Sequence, residues 1–414
     1  MKVAIIGTGI SGLAAAYFLA PDHDLTVFEK NTYAGGHSRT IDVPTGAGSV
    51  AVDTGFIVFN DRNYPNLVKL FDRLGVVSQK SVMSFGVNIA NGWLEYASCS
   101  LFAQKKNLIR PAYYHMLYDI VRFNRQALTL LEEDNDLTLH ACLDRLNMGS
   151  WFRRYYVLAM GAAIWSCPVE TIMQFPARTF LQFFKNHGLL TINDHPQWYT
   201  VLGGSRTYVT HLIDRFRDRV KLNCGVQSVL TSEGRLCVQS THGETEIFDH
   251  VIFACHADEA MSLLDDPSPY HDTIGAFSYQ DNQIIVHGDT SFMPQRRACW
   301  ASWVYMSEGY EDHSPHVSLS YWMNNLQSLD PQIPIFVTLN PGRRPAGHLV
   351  YDEYTFTHPI FDFRAIVAQE KIAALQGRRG IWFCGAYQRY GFHEDGLLSA
   401  IEVVKKMGGT IPWG

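Results

Sequence analysis

Six residues near the start of the chain, Gly7-Thr8-Gly9-Ile10-Ser11-Gly12, constrain the fold more than any other stretch. They follow a short β-branched run, Val3 to Ile6, and precede Leu13 to Ala20, whose alanines and leucines predict a helix that Pro21 stops. Leu25 to Phe28 predicts a second strand. A strand, glycine turn, helix and strand in about thirty residues predict two neighbouring parallel strands joined by a crossover helix. In such a unit the first glycine permits the turn, the second admits a pyrophosphate and the third lets helix and strand pack closely. The N–H groups at the helix start, from Ile10 and Ser11, then meet the phosphates. Glu29 ends the second strand, where a carboxylate can accept both hydroxyls of an adenosine ribose. The bland alternative is a surface pair with Lys30. An acid at this place disfavours a 2′-phosphate, and with it NADP.

The rest of the composition bounds the answer. A chain of 414 residues is long enough for two or three domains at ~150 residues each. A net charge of −6, with 18% charged and 47% hydrophobic residues, argues against long disorder and bulk nucleic-acid binding. The 13% aromatic content suits a roomy apolar pocket. The cysteines at 99, 142, 167, 224, 237, 255, 299 and 384 form no C-x-x-C pair, so they read as reduced thiols of a cytoplasmic protein and not as zinc ligands. No histidines form H-x-x-x-H, and the closest pair, His313 and His316, straddles a proline, so no metal is expected. The opening residues lack the pattern of a signal peptide. The longest apolar run, Val157 to Trp165, falls far short of the ~20 residues that span a bilayer.

Further along, an apolar spacing predicts a helix over 66–74, and alternation around Asn91-Gly92 predicts a hairpin over 85–96. Residues 105–187 predict a helical cap, with aromatic groups at Tyr113, Tyr114, Tyr118 and Phe123 and at Trp151, Phe152, Tyr155 and Tyr156. Gly203-Gly204-Ser205 precedes an amphipathic stretch over 208–216. Strand-like runs then follow at 220–222, 226–230, 236–239 and 251–254, and again at 283–287, 299–305, 317–322 and 335–339. A helix over 366–375, a buried strand over 381–384 and a last helix over 396–407 close the chain. The expected fold class is α/β: a Rossmann-like dinucleotide-binding domain built from residues 1–80, 195–270 and 365–414, interleaved with a mixed-sheet and helical substrate domain from 81–194 and 271–364.

After Glu29 come Ala34-Gly35-Gly36-His37-Ser38-Arg39-Thr40 and Asp53-Thr54-Gly55-Phe56. With these the sequence resembles the amine-oxidase-like flavoproteins, the superfamily of monoamine oxidases, protoporphyrinogen oxidase and phytoene desaturases. Its second fingerprint, G-G-R-x-x-T, is matched at Gly35, Gly36 and Thr40, while His37 replaces the arginine and lacks its bidentate fork. The resemblance continues in Phe248 to Cys255, in Val226 where the family sets a valine against adenine, and in Phe383-Cys384-Gly385-Ala386 with Asp395-Gly396-Leu397-Leu398-Ser399-Ala400. It implies noncovalent FAD, held by Gly7, Gly9, Ile10, Ser11, Gly12, Glu29, Lys30, Gly36, His37, Ser38, Thr54, Gly55, Phe56, Val226, Gly385, Asp395, Gly396 and Leu397. A helix beginning near Gly396 would aim positive partial charge at the flavin N1–C2=O edge. More narrowly, GGHSRT, DTGFIVFN and GAYQRYGFHEDGLLSA resemble a bacterial branch of predicted NAD/FAD-binding proteins. That branch resembles partners of cyclopropane-fatty-acyl synthase-like methyltransferases, some members desaturating methylated acyl chains.

No second dinucleotide motif follows the first, so electrons are expected from an organic substrate and not from NAD. Many amine oxidases of the superfamily keep a lysine near the flavin, yet no lysine occurs between Lys221 and Lys371. The expected reaction is therefore hydride abstraction from an apolar substrate, an unsaturated or methyl-branched phospholipid acyl chain, with oxidation of an amine as the alternative enzyme. A non-catalytic flavoprotein partner of a lipid methyltransferase is the alternative of another class. His393 and Glu394 are candidate bases, and Tyr387 is a candidate wall of the cavity along with Tyr390, Phe392, Trp303, Tyr305, Tyr321 and Trp322. Loop-fixing contacts and core packing are the bland readings. Lys105, Lys106 and Arg110, and Arg153-Arg154, precede aromatic or apolar stretches. Such residues either seat the cap on an anionic membrane surface or form a solvated basic face.

Overall fold

The computed structural model describes residues 1–46, 48–132, 137–165, 169–191, 195–232, 234–309 and 316–413. Cys167 and His313 lie outside them. Its first sheet has five strands in the order Val220–Lys221, Asp24–Phe28, Lys2–Ile6, His250–Phe253 and Ile381–Phe383. All four pairings are parallel, with Ile5 between Val27 and Ile252. A parallel strand covered on both faces needs a continuous apolar run, and Val3, Ala4 and Ile5 have no exposed surface.

The opening helix covers one face. It spans Ile10–Leu19 and is buried along its whole length. It begins three residues earlier than the Ala/Leu run predicts because Gly9, in an extended conformation, serves as its N-cap. The closing helix, His393–Lys406, lies alongside it. A Cβ on Gly396 would come within 2.9 Å of Ile10 and Ser11, and one on Gly409 within 3.3 Å of Leu19. The two helices are therefore parallel, with their N-termini together.

Residues 226–248 leave this sheet as a three-stranded antiparallel unit, Val226–Ser232, Arg235–Ser240 and Thr245–Phe248. The largest sheet has seven strands in the order Val350–Ile360, Ser278–His287, Phe336–Leu339, Val317–Trp322, Trp303–Ser307, Phe85–Ile89 and Leu94–Ala97. It is mixed: Trp303–Ser307 and Phe85–Ile89 run parallel, and the other pairs are antiparallel. The strand expected from 299 starts at Trp303, because residues Arg297–Cys299 form a 3₁₀ turn. The expected hairpin turns through Ala90, Asn91 and Gly92, all at positive φ. Helices that include Pro111–Glu132, Leu158–Trp165 and Ala177–Asn186 pack over this sheet as one aromatic core. None of the helices among the described residues is long and apolar enough to cross a membrane. Described cysteines, seven in all, are free thiols.

Candidate active site

The glycine turn meets the first sheet through close backbone contacts. Gly7 has φ +107°, and a Cβ there would lie 2.8 Å from the Ala254 carbonyl oxygen. A Cβ on Gly12 would lie 2.0 Å from the Gly7 oxygen, so neither position accepts a side chain. At Gly9 the space is open, and no side chain caps the helix that starts there. Gly36, at φ +56°, packs the next loop so closely that a Cβ there would lie 3.1 Å from the Gly9 Cα. Ser11 Oγ donates to the Gly396 carbonyl at 2.9 Å, which fastens the two helix N-termini together. Two helix dipoles thus present their positive ends at one place, as an anionic ligand requires.

Glu29 is buried at the end of its strand. Its Oε2 accepts from the Thr8 N–H at 3.0 Å and from the Thr8 hydroxyl, and its Oε1 accepts from the Asn31 N–H at 2.9 Å. The carboxylate is fixed against the glycine turn. Lys30 points elsewhere, into an ion pair with Glu259. Val226 opens the antiparallel unit and packs on the core beneath it.

Residues 37–39 run beside residues 54–56, with the Thr54 N–H on the Arg39 oxygen at 2.9 Å and the Phe56 N–H on the His37 oxygen at 2.8 Å. A Cβ on Gly55 would lie 2.3 Å from that His37 oxygen. His37 itself is half-buried, with its Nε2 shielded, and stacks on Phe356, ring centres 4.5 Å apart. His358 and His256 lie 5.3 and 6.2 Å away. Burial, then these neighbouring rings, holds the His37 imidazole neutral, far below its usual range. Its Nε2 has no hydrogen-bond partner among the described residues. Arg39, two residues on, does not stand in for the missing arginine: its guanidinium binds Asp352 at 2.7 and 3.1 Å and lies over Tyr354.

Ser38, Phe56 and His393 come together. His393 stacks on Phe56 at 3.8 Å, and its Nε2 lies 2.7 Å from the Tyr208 hydroxyl and 3.0 Å from Ser38 Oγ. Burial pulls the imidazole down to about 3, so it is neutral. Glu394 points the other way. Its carboxylate accepts from the Asn66 N–H and side chain at 3.0 and 2.7 Å and from the Leu67 N–H at 3.0 Å, tying the closing helix to the start of Pro65–Leu74. Asp395 Oδ2 accepts from the N–H groups of Tyr390 and Phe392, at 3.2 and 2.9 Å, and burial pushes its acid up to about 6. This carboxylate starts the helix at His393, three residues before the expected Gly396. Leu397 is buried between the two parallel helices. The Gly385 N–H donates to Ser399 Oγ at 2.8 Å, and a Cβ on Gly385 would strike the Tyr387 ring at 2.4 Å. Tyr387 is buried edge-on against Phe277, and burial raises its phenol.

Several of these contacts have little or no signature in the sequence. Tyr208 carries a signal in the Gly203-Gly204-Ser205 run just before it. Phe356, His358 and His256 carry none, since long-range pairing brings them to His37. Asp53 is buried and accepts from Thr40 Oγ1, the Ser205 N–H and Ser205 Oγ at 2.6, 2.8 and 2.7 Å, while Gln327 Nε2 donates to its other oxygen at 3.1 Å. Burial pushes this acid up to about 6. Among the described residues no cluster of His, Cys, Asp and Glu could hold a metal ion.

These residues fit a flavin dinucleotide. The open space at Gly9 and the unpartnered His37 Nε2 lie on loops that Gly36 brings together, at paired helix N-termini that suit a pyrophosphate. Glu29 stands at the ribose end.

Comparison with known proteins agrees. Residues 10–285 match the family model described as flavin containing amine oxidoreductase. A curated relative, 4,4′-diapophytoene desaturase (4,4′-diaponeurosporene-forming) of Staphylococcus aureus, is 57% identical over 42 residues, which are 10% of this chain and 8% of that protein. The chain therefore spans only a small part of the relative's length in that match. The fold is similar to that of a CLA-producing fatty acid isomerase from P. acnes, with TM-score 0.69, 15% identity and 98% of each chain covered. It is equally similar to cyclohexylamine oxidase from Brevibacterium oxydans, with TM-score 0.69, 15% identity and 98% and 99% covered.

Proposed function

The chain belongs to the flavin containing amine oxidoreductase family, an FAD-dependent oxidoreductase, and from that premise we propose that it removes two hydrogens from an apolar chain, leaving a C=C bond. The substrate in this reading is an unsaturated or methyl-branched acyl chain, phospholipid-borne, and a lipid methyltransferase working on the same chains is the matching partner. Bound FAD supplies the two-electron acceptor. The chain's own residues bind it and set an aromatic cluster beside it.

One observation carries this reading. Directly beside the flavin motif of the closing segment, Phe392 stacks on Phe183 at 4.9 Å, with Tyr390 at 6.1 Å and Trp165 at 4.9 Å from the same ring. The titratable ring at this junction, His187, is pulled down to about 4 by burial and is neutral. Aromatic surroundings of this kind favour hydrocarbon over a protonated amine, which costs more to desolvate. The 42-residue likeness to a desaturase points the same way.

The test is product analysis of the flavin-loaded protein with an artificial electron acceptor. Phospholipids with unsaturated or methyl-branched chains are expected to lose two hydrogens per turnover, while cyclohexylamine is left intact. Release of a ketone from the amine, with the lipids unchanged, would overturn the proposal. A shifted double bond without loss of hydrogen would mean a redox-neutral isomerase instead.

A further inference from the structure

We propose that the basic end of the helical cap is a docking surface for an anionic lipid bilayer. The inference goes beyond the proposed reaction and does not depend on it.

The long helix Pro111–Glu132 buries one face through Tyr113, Met116, Phe123, Ala127 and Leu130. Its opposite face is also apolar. Tyr114, Tyr118, Val121 and Leu128 recur at helical spacing and are all exposed. At the helix N-terminus this stripe joins a second group, Leu101, Phe102, Leu108 and Ile109, of which Ile109 is 83% exposed. The two groups form one surface: Phe102 lies 5.9 Å from the Tyr114 ring, and the Tyr114 hydroxyl donates to the Leu108 carbonyl at 3.1 Å. Large exposed apolar patches of this kind mark interaction sites.

Charge identifies the partner. Lys105 and Lys106 are exposed within the patch and form no ion pair among the described residues. Arg110 lies over Trp93 at its border, and Arg125 is exposed further along the stripe. Between residues 101 and 125 the sequence has one acid, Asp119. It is buried, held by Arg122 at 2.8 Å, with His115 at 3.5 Å. A basic, aromatic and aliphatic tip on a chain of net charge −6 complements negative headgroups, into which Ile109 and Phe102 can sink. Arg153 takes no part, since Asp144, the Met148 carbonyl and the Leu143 carbonyl hold it.

The experiment is sedimentation of the flavin-loaded protein with vesicles of phosphatidylcholine alone or mixed with phosphatidylglycerol, at low and high salt. Binding is expected to the mixed vesicles only and to weaken with salt. Ile109→Asp should lower it tenfold or more. Lys105→Gln with Lys106→Gln should lower it about twenty-fivefold, taking each basic residue as about a factor of five. These exposed substitutions should leave flavin absorbance and thermal midpoint unchanged. Equal binding to neutral vesicles, no binding, or variants that bind like the parent would overturn the proposal. So would a concentration-dependent dimer that Ile109→Asp makes monomeric, which would assign the patch to a second copy of the chain.

Discussion

His37 and Arg39 stand two residues apart in the loop where related flavoproteins keep an arginine, and their environments separate their roles. His37 is half-buried and neutral, and its shielded Nε2 has no partner among the described residues, while the Arg39 fork is filled by Asp352. His37→Ala should therefore weaken FAD retention roughly ten- to a hundredfold, the worth of one charge-assisted hydrogen bond. Arg39→Ala should keep its flavin and lose about 1–3 kcal/mol of stability by stranding a half-buried carboxylate. Flavin absorbance per protein, with a denaturant titration of both variants, measures the difference. At Gly55 the constraint is steric. A methyl group 2.3 Å from the His37 oxygen forces apart the two segments that hold the site. Gly55→Ala should cost about 1–3 kcal/mol, visible as an earlier unfolding midpoint.

At the scale of elements, the closing helix is positioned by its own acids. Glu394 satisfies donors at the start of Pro65–Leu74, and Asp395 satisfies the turn before its own helix. Glu394→Gln should lower stability by about 1–2 kcal/mol, since an amide cannot accept from all three donors. It should leave the pH dependence of flavin reduction in place; loss of one limb of that profile would make Glu394 an acid–base group. The same helix shows what is legible in sequence. The opening strand, turn and helix are local, and Val3 to Ile6, the glycines and the Ala/Leu run declare them within thirty residues. The start at His393 is hidden because Asp395 caps the turn from inside the helix, where sequence shows no N-cap residue. The eleven-residue strand Val350–Ile360 is hidden for another reason. It pairs with Ser278–His287, far away in sequence, as an edge strand of mixed polarity. Phe356 and His358, which flank His37, are therefore not visible from spacing.

Across the whole molecule, buried titrating groups set how stability follows pH. Burial holds His187, His287 and His358 at about 4 and His393 at about 3, below the unfolded value near 6.5. Between these limits the unfolded chain binds four protons that the folded one refuses, so this contribution to stability is lost as pH falls. Asp53 and Asp395 act oppositely: raised to about 6, they are protonated in the folded state first, and their effect favours folding at lower pH. His37 and His256 are depressed by burial too, and Glu394 is raised, so the histidines outnumber the acids and unfolding takes up at least about two protons near pH 5. Stability should drop by roughly 2–3 kcal/mol per pH unit there, and denaturant midpoints from pH 7 to 5 would check it.

The anaerobic visible spectrum of the flavin-loaded protein tests the flavin site and the apolar substrate together. The oxidised flavin band is expected to bleach on adding phospholipid with unsaturated or methyl-branched chains and to stay unchanged with cyclohexylamine. Bleaching by the amine, with the lipid inert, would contradict it.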